Sequence, residues 1–152
     1  MGRGVEEVPP PPVTPEAARR VVGEVLAAIE VVDSHLRDWK MTGPEAIADC
    51  TCMGAVVVRA AGAAPRSVDL PAERVTVLVN GNPVATAQGL AALGDPVRVL
   101  VWLANRIADL GRRLRAGDLI LTGSLAPIQW VREGDTAAVS FDHLGSASVR
   151  FL

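Results

Sequence analysis

The residue that most invites a chemical reading is Glu30, a carboxylate set inside the run Ala28-Ile29-Glu30-Val31-Val32. An acid among apolar neighbours must find a cation, bind a metal ion or sit at an exposed strand edge, because an unpaired buried charge is costly. Arg37 is the nearest candidate partner in sequence. A second cluster, Asp49-Cys50-Thr51-Cys52, puts four functional side chains into one short segment. Together with His35 and His143, its Cys-x-Cys pair could suggest zinc, but the spacing matches no standard zinc motif, and small packed thiols are the simpler reading. Thr122-Gly123-Ser124 follows an apolar run and places hydroxyls where a strand would end, a common place for ligand contacts and also for plain turns.

These side chains need elements to hold them. Thr14-Pro15-Glu16 starts a helix: threonine caps, proline fits the first turn, and the acid faces the positive end of the dipole. Val21, Val22, Val25, Leu26 and Ile29 continue it at helical spacing, and the pattern then passes into a β-branched strand around Glu30. Residues 55–59 form another strand candidate. Asn80-Gly81 between the runs 75–79 and 83–86 is a strong hairpin signal, with Pro83 demanding an edge or a bulge. Asp95-Pro96 opens a helix over 96–110 whose face is Val97, Leu100, Val101, Ala104 and Ile107, closed by Gly111. A turn at Gly117-Asp118 precedes an expected strand at 119–121, and two last strands, 137–141 and 147–151, should pair antiparallel. The sum is an α+β fold in which strands dominate the second half and one long helix packs on them.

Composition narrows the function classes. The chain has 152 residues and 49% hydrophobic residues, enough for a real core. A net charge of −2 gives no reason to expect nucleic acid or an anionic membrane as partner. No secretory leader pattern is visible, and the uncharged run 75–94 holds Asn80, Asn82, Pro83 and Gln88, which no lipid-facing segment would place together. Cys50 and Cys52 lie too close for an ordinary disulfide, so a reducing cytoplasm is the expected compartment. Residues 1–13, with four consecutive prolines, read as a flexible extended tail, and 14–152 as one domain.

Five blocks in order carry a family resemblance. AIEVVDSHLRDW at 28–39 resembles the ALEIVDSRIxDW segment of 2-keto-4-pentenoate hydratases and 4-oxalocrotonate decarboxylases, within the fumarylacetoacetate hydrolase superfamily. ADCTCMG at 48–54 stands where that family has ADNASxG. LGDPVRVLVWLAN at 93–105, LRAGDLILTGSLAP at 114–127 and LGSASVRF at 144–151 resemble its remaining blocks. The resemblance implies the C-terminal part of a mixed β roll or sandwich with a packed helix, N-terminally truncated. It implies a lyase that hydrates 2-hydroxy-2,4-dienoates in meta-cleavage catabolism of aromatic compounds. The implied cofactor is a divalent cation, Mg²⁺ or Mn²⁺, held by a Glu-x-Glu pair and a later glutamate that Glu30 matches. Asp49 and Cys52 are then expected at the catalytic site, and Thr122 and Gly123 against the substrate, a small 2-hydroxydienoate or 2-oxo acid. Glu30, Asp49, Cys52 and Thr122 should share one polar cavity.

The match has gaps. The Glu-x-Glu pair and the family's lysine belong upstream; Glu6-Glu7 is adjacent rather than alternating and would not aim both carboxylates at one ion. Cys50 replaces asparagine, Cys52 serine and Asp95 histidine. The expected activity is therefore that of an incomplete hydratase. The alternatives are a non-catalytic remnant that keeps the fold, a 2-oxo-3-enedioate decarboxylase, and an acylpyruvate-type hydrolase. Apolar surface left over should drive homo-oligomerisation.

Overall fold

A computed structural model describes residues 8–152; Glu6-Glu7 and the rest of the first seven residues lie outside the described residues. Helix α1 (Pro15–Val21) begins as its sequence dictates, with the Thr14 hydroxyl accepting from the Ala17 amide at 3.3 Å. It is shorter than the valine spacing predicts. Val22 turns extended (ψ 116°), Gly23 follows, and Val25 is drawn into a bridge with Ala63. Tertiary pairing wins over a modest helical preference in this β-branched stretch.

Strand β1 (Ala28–Val32) pairs antiparallel with β2 (Met53–Val58), and Glu30 stands opposite Val56. Between them lies a short helix, α2 (Gly43–Ala48), entered through a capping box in which the Thr42 amide and hydroxyl both donate to Glu45 Oε2, at 2.7 and 2.8 Å. The second sheet has four strands in the order β4 (Asn82–Gln88), β3 (Arg74–Val79), β5 (Thr136–Phe141), β6 (Gly145–Arg150), all antiparallel. The Asn80-Gly81 hairpin forms with φ of +51° and +78°, the positive pair that a two-residue primed turn requires. Pro83 sits on the edge strand β4, opposite the register shift at Val77/Leu78. Asn80 also fastens the hairpin to β5: its Oδ1 accepts from the Thr136 amide at 2.9 Å and its Nδ2 donates to Asp135 at 2.8 Å.

Helix α3 (Pro96–Ala108) is capped by Asp95, whose Oδ1 accepts from the Val97 amide at 2.9 Å. Val97, Leu100 and Ala104 are buried, and Val101 packs against the same cluster with Leu114 and Ile120. That cluster also contains Ala18 and Val21 of α1, Leu70, and, against expectation, Val8 and Val13. The proline-rich stretch is therefore not a free tail over its second half. Asn105 clamps it, accepting from the Val13 amide at 2.8 Å and donating to the Val13 carbonyl at 3.2 Å. Proline supplies no amide there, so a side chain of α3 and two valines do the anchoring.

The expected strand at 119–121 does not form: residues 117–131 run without regular structure. A strand exists only by pairing, and among the described residues nothing offers this segment a ladder; it lines a cavity instead. No helix of the described residues is long and apolar enough to cross a membrane.

Candidate functional site

The apolar face of the four-stranded sheet, carrying Val75, Val77, Val79, Val139 and Phe141, looks into a cavity of about 990 Å³. Strand β1 and the irregular segment 117–131 supply its other walls. The cavity is at the upper end of the size that holds small ligands.

Of the residues expected at the site, Glu30, Thr122 and Gly123 all line this cavity. Glu30 is exposed on β1, and among the described residues its carboxylate has no hydrogen-bond or ion-pair partner; Arg37 does not reach it. Gly123, at φ +88°, gives the segment a left-handed residue that a side chain would strain. Beside it the Ser124 hydroxyl turns back to donate to the Ala126 carbonyl at 2.6 Å.

Asp49 and Cys52 do not line the cavity, which corrects the expectation of one shared polar site; of their segment Thr51 does. Asp49 is engaged elsewhere. Its Oδ2 accepts from the Ser34 hydroxyl at 3.0 Å and the His35 amide at 3.2 Å, and its Oδ1 meets His35 Nδ1 at 2.7 Å. The His35 side chain, then Ser34 and the His35 amide, hold the Asp49 carboxyl below the usual carboxylate range. Cys52 is buried and its thiol points at the Met41 sulfur, 3.6 Å away. Thus no zinc arrangement forms from Cys50, Cys52 and the histidines; among the described residues no three His, Cys, Asp or Glu side chains gather as a metal site.

The segment between them is strained. Cys50, Thr51 and Cys52 have φ of +49°, +56° and +64°, three left-handed non-glycine residues in a row. Such a residue costs roughly 1–2 kcal/mol, and strain of this kind clusters at functional sites. It is held by the Cys52 amide donating to the Asp49 carbonyl and the Asp33 amide to the Cys52 carbonyl, both at 2.8 Å. The result turns Thr51 onto the cavity wall at the end of β1.

Two carboxylates on the cavity wall carried no sequence signal. Glu73 is buried, and three donors converge on it: the His143 amide and Nδ1, each at 2.7 Å, and the Leu144 amide at 3.1 Å. Burial pushes its carboxyl up, but the His143 and Leu144 hydrogen bonds together outweigh that and hold it low, while the bond to Glu73 raises the His143 imidazole. Glu24, read as one position of a helix, instead lines the cavity with Oε2 buried and without a hydrogen-bond partner among the described residues. Asp95 has a structural use: it caps α3 and forms an ion pair with Arg19 that ties α1 to α3.

Comparison with known proteins gives these features a family. The chain is 34% identical to a 2-keto-4-pentenoate hydratase of Paraburkholderia xenovorans, covering 99% of this chain and 55% of the relative. It is 33% identical to a 2-hydroxyhexa-2,4-dienoate hydratase of Comamonas testosteroni, covering 93% of this chain and 53% of that protein. The fold superimposes on 4-oxalocrotonate decarboxylase from Pseudomonas putida G7, complexed with magnesium and adipate, with a TM-score of 0.92 and 28% identity. That overlap takes in 99% of this chain and 57% of the decarboxylase. The chain thus spans about half the length of the relatives it matches. The model of the fumarylacetoacetate (FAA) hydrolase C-terminal family matches residues 1–152, and with the α+β frame described above the chain belongs to that family.

Proposed function

We propose that this chain forms the substrate-facing wall of a hydro-lyase acting on 2-hydroxy-2,4-dienoates. The observation that carries the reading is the unpartnered Glu30 carboxylate on a cavity shared with Thr122 and Gly123, in a chain whose relatives include two hydratases. The apolar sheet face suits the diene, and the Thr122 hydroxyl and the Gly123 amide suit a carboxylate. Ketonisation of the dienol moves a proton from the 2-hydroxyl to the chain end, and water then adds to the enone.

A divalent cation, Mg²⁺ or Mn²⁺, is part of this reading for the whole protein, and Glu30 is the ligand this chain would give. The described residues do not by themselves fit one, since no three candidate ligands gather and a small hard cation is usually held by more than one carboxylate. On this reading the remaining ligands would come from the rest of the whole protein. Asp49 acts from behind the wall, fixing Ser34 and His35 just after β1, and Cys52 anchors the strained turn that presents Thr51. Exposed Trp102 and Trp130, at 60% and 74%, support self-association, and the reading is of a cytoplasmic catabolic enzyme.

A second reading, a remnant that keeps the fold without chemistry, is favoured by the turning away of Asp49 and Cys52 from the cavity. The decarboxylase likeness supports a 2-oxo-3-enedioate as the alternative substrate. One experiment separates them: follow the ultraviolet absorbance of 2-hydroxypenta-2,4-dienoate with this chain, with and without upstream polypeptide, in excess Mg²⁺ or Mn²⁺. Turnover approaching the common ~10 s⁻¹ that Glu30→Ala abolishes supports the hydratase. No turnover in either form, on this dienol or on a 2-oxo-3-enedioate, supports the remnant; turnover on the enedioate alone supports the decarboxylase, and turnover indifferent to Glu30→Ala refutes the site.

A further inference from the structure

A shallow, open hollow lies where α3 ends, lined by Gly111, Arg112, Arg113, Arg115 and Asp118, all of them exposed. The loop carrying it is closed at both ends. On the helix side the Gly111 amide donates to the Ala108 carbonyl at 2.9 Å and the Arg112 amide to the Ile107 carbonyl at 3.0 Å, the paired bonds of a Schellman ending. On the other side the Arg115 amide donates to Asp118 Oδ2 at 2.7 Å, and the Asp118 amide to the Arg115 carbonyl at 3.1 Å. Between them Leu114 packs against the core. The three arginines therefore project from a fixed backbone.

Among the described residues, none of these three guanidinium groups makes a hydrogen bond or an ion pair. The one carboxylate lining the hollow, Asp118, is engaged with the Arg115 amide. Complementing the helix dipole accounts for a cation near the last carbonyls; it does not account for three around one concavity. Like charges on one short, fixed loop are relieved by an anion, and the planar guanidinium fork matches the oxygens of phosphate bidentately. A concave setting suits a compact ion better than an extended backbone, and the net charge of −2 offers nucleic acid no long-range attraction.

We propose that this hollow binds a small, multiply charged oxyanion of the phosphate class. Inorganic pyrophosphate is the probe, titrated calorimetrically into the full chain at physiological ionic strength. The expected result is saturable one-to-one binding, weakened about tenfold or more by Arg113→Ala, as loss of a charge-assisted bond predicts. Arg113→Lys, which keeps the charge and loses the fork, should fall between. Arg66→Ala, an exposed arginine elsewhere, should leave binding unchanged. All three variants should unfold at the wild-type temperature, since these side chains are solvated. Binding that does not saturate, or that Arg66→Ala weakens as much as Arg113→Ala, would overturn the site as mere charge screening. Tighter binding of an oligoglutamate peptide than of pyrophosphate would overturn the ligand class.

Discussion

Glu73→Ala removes a carboxylate that ties the entrance of β3 to the turn between β5 and β6. Three donors lose their acceptor: the His143 amide and imidazole at 2.7 Å and the Leu144 amide at 3.1 Å. The imidazole is exposed and turns to water, but Leu144 is buried, so its amide is left wanting, and the part-buried His143 amide loses its acceptor as well. A buried donor without a partner costs about 1–3 kcal/mol, and with the smaller cost of the second amide the loss is roughly 2–4 kcal/mol. For a chain of this size that is a fall in Tm of about 4–16 °C. Glu73→Gln keeps an amide oxygen for the backbone donors and loses the charge, so it should be damaged about half as much. The pH profile is the sharper readout. Glu73 has a lowered pKa in the fold, so its contribution is complete above the ordinary carboxylate value of 4.5 and is lost as pH falls through the lower folded value. His143 has a raised pKa, so its contribution is complete below 6.5 and is lost as pH rises through the higher folded value. Wild type should therefore lose stability at both ends, and Glu73→Gln should flatten both limbs. Urea unfolding followed by tryptophan fluorescence from pH 3 to 9 measures this. A Glu73→Gln profile parallel to wild type would refute the reasoning.

Gly89→Ala should abolish folding or cost several kcal/mol, because the new Cβ would lie 1.8 Å from the Leu70 carbonyl oxygen; soluble yield and circular dichroism report it. Asn105→Ala should destabilise by about 1–3 kcal/mol and free residues 8–13 to limited proteolysis, since both Val13 backbone bonds go with it. An unchanged cleavage pattern there would mean that the two buried valines alone hold the segment.

Local chemistry that fixes its own partner was readable in the sequence. Asn80-Gly81, Asp95-Pro96 and Gly111 each do in the structure what their backbone preferences demand, and the strands they delimit fall within a residue or two of expectation. Thr42-Gly43-Pro44-Glu45 is an equally local signal, a capping box ahead of α2, though the helix it starts is only six residues long. What depended on partners distant in sequence was not readable. The valines after α1 look helical until Ala63 claims Val25, and 119–121 looks like a strand until no strand stands beside it.

The same division runs through the candidate site. Glu30 was conspicuous because a carboxylate flanked by Ile29 and Val31 breaks an apolar pattern, and the cavity beside it explains how it avoids burial without a cation. Glu73 is silent because Glu73-Arg74 before Val75 reads as an ordinary polar turn; its significance lies in two amides that arrive about seventy residues later in the chain. Asp49 is the instructive case between. Its position in the block ADCTCMG suggested chemistry, yet its oxygens are taken by Ser34 and His35. His35 Nδ1 meets Asp49 Oδ1 at 2.7 Å just after β1. That contact braces the strained turn at 50–52 and so sets where Thr51 meets the cavity. Asp49→Asn should then disturb the turn rather than a proton transfer: it should lower stability in the absence of any substrate, and Asp49→Glu, which keeps the charge at a different reach, should not restore it. Full stability of Asp49→Asn would show that the brace is unnecessary and return Asp49 to the list of chemical residues.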